Sequence, residues 1–386
     1  MIIAVDDALP YWQEILAGLG DIRSYSARSL RPEDIRDVDA LVVRSVTGVS
    51  ASLLEGSSVQ FVAAASAGID HIDQDYLRNR RINFGYSAGC NADAVSEYIV
   101  TALHVVASRK GWNLAGKSLA VIGAGNVGSR VARKARGLGM EVFLCDPPLH
   151  DLTGDPQYQP LDVVLGADIL SFHVPLVLDG PYPTWHMVNR EILDRLSSKQ
   201  FLINSARGAV FDNQDLKIAL REGRVEGAIL DVWEGEPRVD YSLLEVVDIA
   251  TPHIAGTAVD GKIRATEMAR MELCKFLGIR QSKSFEFLYP ESRYLRPEPA
   301  TAGQDSVLSV LLQAFDLLQA DAGLRALAED IPEKASIGFE RLRTGHPLRP
   351  EFRHFIIDLD ERHIDLADTF AALGFKPKGI ESAGAV

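Results

Sequence analysis

Short, β-branched apolar runs recur along residues 1–253, and most are separated from the next by a polar, helix-like stretch. This alternation constrains the fold more than any other feature of the chain. In the first 93 residues the runs fall at 2–5, 22–25, 40–43, 59–65 and 82–85. Strands joined by helical crossovers lie side by side in a parallel sheet. A second series begins at Lys117, where SLAVIG, MEVFLCD, DILSFHVP, QFLINSA, GAILDVW and VDIATPH supply six candidate strands, the number a dinucleotide-binding sheet uses. Long helices are predicted on either side of that series, over 91–110 and 256–278. The chain is therefore expected to leave a first domain, build a second and return to the first, with the active site in the cleft between them. The predicted class is α/β, with two doubly wound parallel-sheet domains: a flavodoxin-like domain from residues 1–93 and 256–280, and a Rossmann domain from 94–255. Residues 281–386 read as a small C-terminal α+β domain. An irregular, Pro-rich linker (281–299) leads to a helix over 305–330, a strand over 352–359 and a helix over 363–373.

The 386 residues are 47% hydrophobic and 24% charged, which allows a large core in a soluble protein. A net charge of −13 without any Lys/Arg block argues against nucleic acid or an anionic membrane as partner. It leaves room for an anionic substrate in a local basic pocket. Cys90, Cys145 and Cys274 are too sparse for a disulfide framework or a metal knuckle, so buried reduced thiols and no metal are expected. The opening MIIAVDDALP lacks the basic start of a secretory signal, and no apolar run reaches membrane-spanning length. A cytoplasmic location follows as the expectation.

Chemistry enters at GAGNVG, which follows the strand SLAVI and opens a helix. In that context Gly123, Gly125 and Gly128, with Asn126 and Val127 between them, let the backbone approach a pyrophosphate seated on the helix N-terminus. Asp146 ends the next strand about twenty residues on, where a carboxylate accepts the adenosine ribose hydroxyls. Pro147 and Pro148 follow it with no Arg to accommodate a 2′-phosphate, so the expected cofactor is NAD rather than NADP. Ligands bind off the carboxyl ends of strands in such sheets. Every predicted strand of the second series ends in a polar or special residue: Gly123, Asp146, His173, Ser205–Ala206–Arg207, Asp231 and His253.

Oxidation of a 2-hydroxy acid needs a base for the hydroxyl proton, a cation for the carboxylate and C2 oxygen, and an acid to orient and charge the base. Arg207, Glu236 and His253 offer that set at or just after successive strand ends. Singly each reads as a surface ion pair, a loop acid or a satisfied polar residue. Beside a dinucleotide site the three together point to catalysis.

Three segments, NSARG (204–208), DVWEGEP (231–237) and TPHIAG (251–256), resemble the signatures of the D-isomer-specific 2-hydroxyacid dehydrogenase family. The resemblance covers residues 1 to about 280. It implies that Arg207 binds substrate, Glu236 pairs with His253, His253 is the acid/base, and Asp231 bonds the nicotinamide carboxamide; Gly256 joins the cofactor set. Further segments, ALVVRSVT, ASAGIDHID, GCNA and DGPYPTWH, and the C-terminal extension resemble a branch of the family that oxidises a phosphorylated 2-hydroxy acid and dimerises through that extension. Ser45, Ser66 and Thr257 are the further candidate substrate contacts. Relatives of this branch have an aromatic residue where this chain has Thr257. Another member of the class acting on 3-phosphoglycerate, and a non-catalytic NAD-sensing protein of the same fold, are the competing readings. The intact Arg–Glu–His set favours an enzyme.

Overall fold

A computed structural model describes residues 1–280 and 283–379 of the chain. They form two compact units, Met1–Asn91 with Ala258–Pro290, and Ala92–Thr257 with the described residues from Glu291 onward.

The first unit is built on a parallel sheet of β1 (Ile2–Asp6), β2 (Asp21–Tyr25), β3 (Ala40–Val43), β4 (Phe61–Ala64) and β5 (Asn83–Tyr86), in the order β2-β1-β3-β4-β5. This is the flavodoxin-like order anticipated from sequence. Ala40 and Val42 pack into one core cluster with Ile3 and Val5, while Leu41 and Val43 join another with Ala4 and Val62. Burial on both faces is why β1, β3 and β4 read as nearly unbroken apolar runs. The helix Val259–Phe276 packs on β4 and β5. Gly85 permits the approach, since a Cβ there would meet Glu272 Cβ at 2.6 Å.

In the second unit β6 (Ser118–Ile122), β7 (Glu141–Cys145), β8 (Ile169–Phe172), β9 (Phe201–Asn204), β10 (Gly227–Leu230) and β11 (Ile249–Ala250) form a parallel sheet in the order β11-β10-β9-β8-β6-β7. Each falls inside its predicted run. The chain turns back at β6, which has β7 on one side and β8 on the other. The crevice at the carboxyl ends of β6 and β8 is therefore the topological switch point, where such sheets bind ligands. The helix Ala92–Lys110 is buried without interruption from Ala94 to Ala107 and carries Glu97, Tyr98 and His104 into the interior. Burial drives His104 down to about 4, and its Nδ1 lies 2.7 Å from the Val100 carbonyl oxygen.

The C-terminal residues add a small parallel sheet of β12 (Arg293–Leu295), β13 (Phe355–Asp358) and β14 (Lys376–Lys378) over a core of Phe352, Phe355, Phe370 and Phe375. Three differences from the sequence reading appear here. The predicted helix over 305–330 is two helices, Gly303–Ala314 and Leu317–Arg325, with a 68° bend between the two helical segments. Phe315 is extended and buried, and Asp316 caps the second helix by accepting the Gln319 N–H at 3.0 Å. The supposed linker over 281–299 contains β12, a three-residue strand, RYL, too short and too exposed to give an apolar signal. The helix Pro332–Thr344 was not foreseen.

Within the second unit, buried charge joins the C-terminal extension to residues 92–257. Arg349 pairs with Glu97, donates to the Ala94 carbonyl at 3.1 Å, and is 7% exposed. Glu97 also accepts the Phe352 N–H at 2.7 Å. Buried Lys134 donates to the Leu373 carbonyl. At the sheet edge, Asp321 accepts the Ala250 N–H at 2.7 Å, and Arg325 binds both Asp321 and the Val247 carbonyl. Cys90, Cys145 and Cys274 are buried and form no disulfide. Among the described residues no single helix is long and apolar enough to cross a membrane, and no group of three or more His, Cys, Asp or Glu could hold a metal ion.

Burial pushes the Glu97 carboxyl up to about 7 against the pull of Arg349 and Lys134. Its protonated form is therefore favoured by folding, and that contribution is lost as pH rises through about 7. Arg349→Met should cost about 3–5 kcal/mol in urea unfolding, because it leaves Glu97 buried without its guanidinium. The loss should be smaller well below neutral pH, where Glu97 takes up a proton.

Candidate active site

The glycine loop is shaped by close backbone approach. Gly123 sits at φ +89°, and a Cβ there would meet the His173 carbonyl oxygen at 2.7 Å. A Cβ at Gly128 would lie 1.9 Å from the Gly123 oxygen. At Gly125 a Cβ would meet nothing within 4 Å, so that side of the loop faces open space. Gly125 is also the N-cap of the helix Asn126–Gly137, which has no side-chain cap. Its first N–H groups are thus available to an anion, with the helix dipole behind them. Asp146 accepts the Ala124 N–H at 2.8 Å and the Leu149 N–H at 3.0 Å. Each oxygen keeps a further lone pair for hydroxyl donors. Two buried polar atoms at neighbouring strand ends, His173 Nδ1 and Ser205 Oγ, have no hydrogen-bond partner within the protein. Burial drives His173 down to about 3, so its ring is neutral.

The residues expected to do chemistry converge beyond β9, β10 and β11. Asp231, 1% exposed at the end of β10, takes the Thr251 hydroxyl at 2.7 Å and the Ile254 N–H at 2.8 Å on one oxygen, and the Ala255 N–H at 2.9 Å on the other. Its own carbonyl accepts the His253 N–H at 2.7 Å. Gripped from both sides, His253 adopts φ +56°, a left-handed conformation that a non-glycine residue holds only when its surroundings impose it. Glu236 Oε2 lies 2.8 Å from His253 Nδ1, and Oε1 accepts the Trp233 N–H at 2.8 Å. Nδ1 therefore carries a proton toward Glu236, which leaves Nε2 as the basic nitrogen. Burial pulls the His253 pKa down, but the Glu236 hydrogen bond and charge and the charge of Asp231 outweigh it, and the net shift is upward. Arg207 opposes that rise, which places a second cation in the electrostatic surroundings of the imidazole.

Asn204 shapes the Arg207 loop by accepting the Ala206 N–H at 3.0 Å and donating to the Arg207 carbonyl at 2.9 Å. Gly208 lets that loop lie against DVWEGEP, since a Cβ there would fall 2.0 Å from the Trp233 carbonyl carbon. Gly256 and Thr257 continue from the His253 segment, with the Thr257 N–H on the Ile254 carbonyl at 2.8 Å. In the first unit, Ser45 is exposed just beyond β3, and Ser66, just beyond β4, donates to the Gly68 carbonyl at 2.8 Å. Arg44 forms an ion pair with fully buried Asp6 at 2.8 Å. Two features went unread in the sequence. Thr251 supports Asp231, and its adjacency to the Pro252–His253 pair was the available signal. His186, at φ +48°, bridges Glu234 at 2.7 Å and Asp212 at 3.3 Å, a tertiary arrangement with no local signature.

Glu236→Gln should lower the His253 pKa by removing the charge that raises it. Titration of the His253 ring protons by NMR, identified by their absence in His253→Ala, measures the change.

The chain is similar to known proteins over nearly its whole length. The model of the D-isomer specific 2-hydroxyacid dehydrogenase catalytic domain matches residues 2–167, and that of the family's NAD binding domain matches residues 98–255. The chain is 40% identical to erythronate-4-phosphate dehydrogenase of Proteus mirabilis over 97% of its own length and 99% of the relative's. It is 40% identical to the enzyme of that name from Salinibacter ruber, over 92% and 93%. Among solved structures, D-lactate dehydrogenase from Aquifex aeolicus, complexed with NAD and lactic acid, superposes with a TM-score of 0.58 at 25% identity, covering 72% of this chain and 96% of that one. NAD-bound 3-phosphoglycerate dehydrogenase of Entamoeba histolytica shares the fold at 24% identity, with a TM-score of 0.61 and coverage of 72% and 95%. The open face at Gly125, the uncapped helix and the two orphaned polar atoms fit NAD, which the Aquifex aeolicus and Entamoeba histolytica structures contain. The chain belongs to the D-isomer-specific 2-hydroxyacid dehydrogenase family, and within it groups with the erythronate-4-phosphate dehydrogenases.

Proposed function

We propose that the chain oxidises 4-phospho-D-erythronate to (R)-3-hydroxy-2-oxo-4-phosphobutanoate, a step toward pyridoxal 5′-phosphate. The observation that carries the reading is the Glu236–His253 pair at 2.8 Å, set with Arg207 at neighbouring strand ends of a dinucleotide-binding sheet. NAD, when bound, supplies the acceptor for the hydride that leaves C2. Gly123, Gly125, Asn126, Val127 and Gly128 would hold its pyrophosphate, and Asp146 its adenosine ribose. His173, Ala206, Asp231 and Gly256 complete the proposed cofactor set. His253 Nε2 takes the C2 hydroxyl proton, and Glu236 stabilises the imidazolium that forms. Arg207 holds the substrate carboxylate and polarises the C2 oxygen. Thr257 is a further substrate contact, and Ser45 and Ser66 are the first unit's candidates for the hydroxyl and phosphate groups. A cytoplasmic location belongs to the same reading, supported by the net charge of −13. A homodimer formed through the C-terminal extension belongs to the same reading and rests on the extension's resemblance to that branch of the family.

NADH absorbance with NAD and 4-phospho-D-erythronate, run in parallel with D-3-phosphoglycerate, tests the substrate. Turnover of the first alone is expected, turnover of the second alone moves the substrate, and binding of NAD without turnover of either favours the sensor reading. His253→Ala should reduce kcat about 10²–10⁴-fold while leaving NAD binding intact. Because the base must be neutral and its pKa is raised, the oxidation rate should climb with pH through an ionisation above the ordinary histidine value.

A further inference from the structure

Behind the His253 segment lies a buried chain of hydroxyl groups. The Tyr98 hydroxyl is 2.7 Å from Thr251 Oγ1, and Thr251 Oγ1 is 2.7 Å from Asp231 Oδ1. All three residues are at most 1% exposed. The direction of the protons follows from counting them. Thr251 has one hydroxyl proton, and a carboxylate oxygen can only accept. That proton goes to Asp231, so Thr251 must accept from Tyr98, and the chain is polarised along its whole length toward Asp231. Hydrogen bonds in such a series strengthen one another in a low-dielectric interior. Tyr98 is fixed at the far end. It sits in the buried stretch of the helix Ala92–Lys110, and its ring packs on Phe315 of the C-terminal extension at 6.2 Å. The Trp233 indole N–H, at 2.9 Å from the Thr251 carbonyl, fixes the backbone at the middle of the chain.

We propose that Tyr98 and Thr251 are positioning residues for His253, acting through Asp231: their polarised hydroxyl chain anchors the carboxylate that both holds the His253 segment in its left-handed turn and lends the imidazole its charge. This rests on the acid/base role of His253 proposed above. Burial raises the Asp231 pKa, while the charge of His253, the Thr251 donor and the Ala255 and Ile254 amides lower it, and the net shift is upward. Loss of the donor therefore shifts Asp231 toward its neutral form, and the imidazolium loses that source of support. The groups around His253 that set its charge are Glu236 and Asp231, which favour the cation, and Arg207, which opposes it.

The test uses the full-length protein carrying Thr251→Val, Thr251→Ser or Tyr98→Phe. The readouts are the NMR titration midpoint of His253 without cofactor, and the pH profile of kcat/KM for oxidation. Thr251→Val should lower the midpoint and move the acid limb of the profile with it, with a roughly 10- to 100-fold fall in kcat/KM, the size expected when a buried carboxylate loses a hydrogen-bond donor. Thr251→Ser, which keeps the donor, should restore both, and Tyr98→Phe should shift both in the same direction by less. A midpoint in folded Thr251→Val equal to or above that of the parent overturns the proposal, as does a Ser variant that behaves like Val. The titration is read without substrate, so a wrong substrate assignment shows in the activity assay and leaves this result intact.

Discussion

One buried carboxylate organises the chemistry of this protein. Asp231 ends β10 and reaches across to the segment that follows β11, where it binds two consecutive backbone N–H groups and a hydroxyl. Water is excluded there, so those three donors replace its solvation. The consequence is geometric as well as electrostatic. Residues 253–255 turn around the carboxylate, His253 is forced to positive φ, and its ring is delivered to Glu236. A strained residue in a rigid grip is costly for stability and useful for chemistry, because the imidazole needs little reorganisation to act.

The same economy of space explains the glycines. Gly128 and Gly208 occupy points where two backbones pass closer than any side chain allows. The first brings a helix N-terminus to the end of β6, where an anion can sit. The second presses the Arg207 loop against the loop that carries Glu236, so that a cation and an acid from different strands share one surface. The motifs visible in the sequence are therefore as much rules about backbone approach as about reacting groups.

Legibility followed this physics. The central strands of both large sheets could be read because burial on both faces demands unbroken apolar runs, as in FVAA and SLAVI. The glycine loop, Arg207, Glu236 and His253 could be read because each sits at a strand end within a short motif. β12 and β14 could not, since RYL and KPK carry their charges at exposed positions. The bend at Phe315 is set by a tertiary contact with Tyr98 and by the cap at Asp316, neither of which changes helical periodicity. The partnerships of Tyr98 with Thr251 and of His186 with Glu234 join residues far apart in the chain, and no local pattern announces them.

The contact between Asp321 and β11 has a consequence for how the protein is made. β11 is a two-residue edge strand, and the Ala250 N–H on it is met by a side chain 71 positions later. On the ribosome the nucleotide sheet emerges with that edge open, and it stays open until the helix bearing Asp321 has left the exit tunnel. An open edge is a site for pairing with other chains. The open edge of the nucleotide sheet is thus closed by a segment that looks like an appendage. A chain released early, before Asp321, would present every signature motif of its family and still lack the brace on the strand that leads to His253.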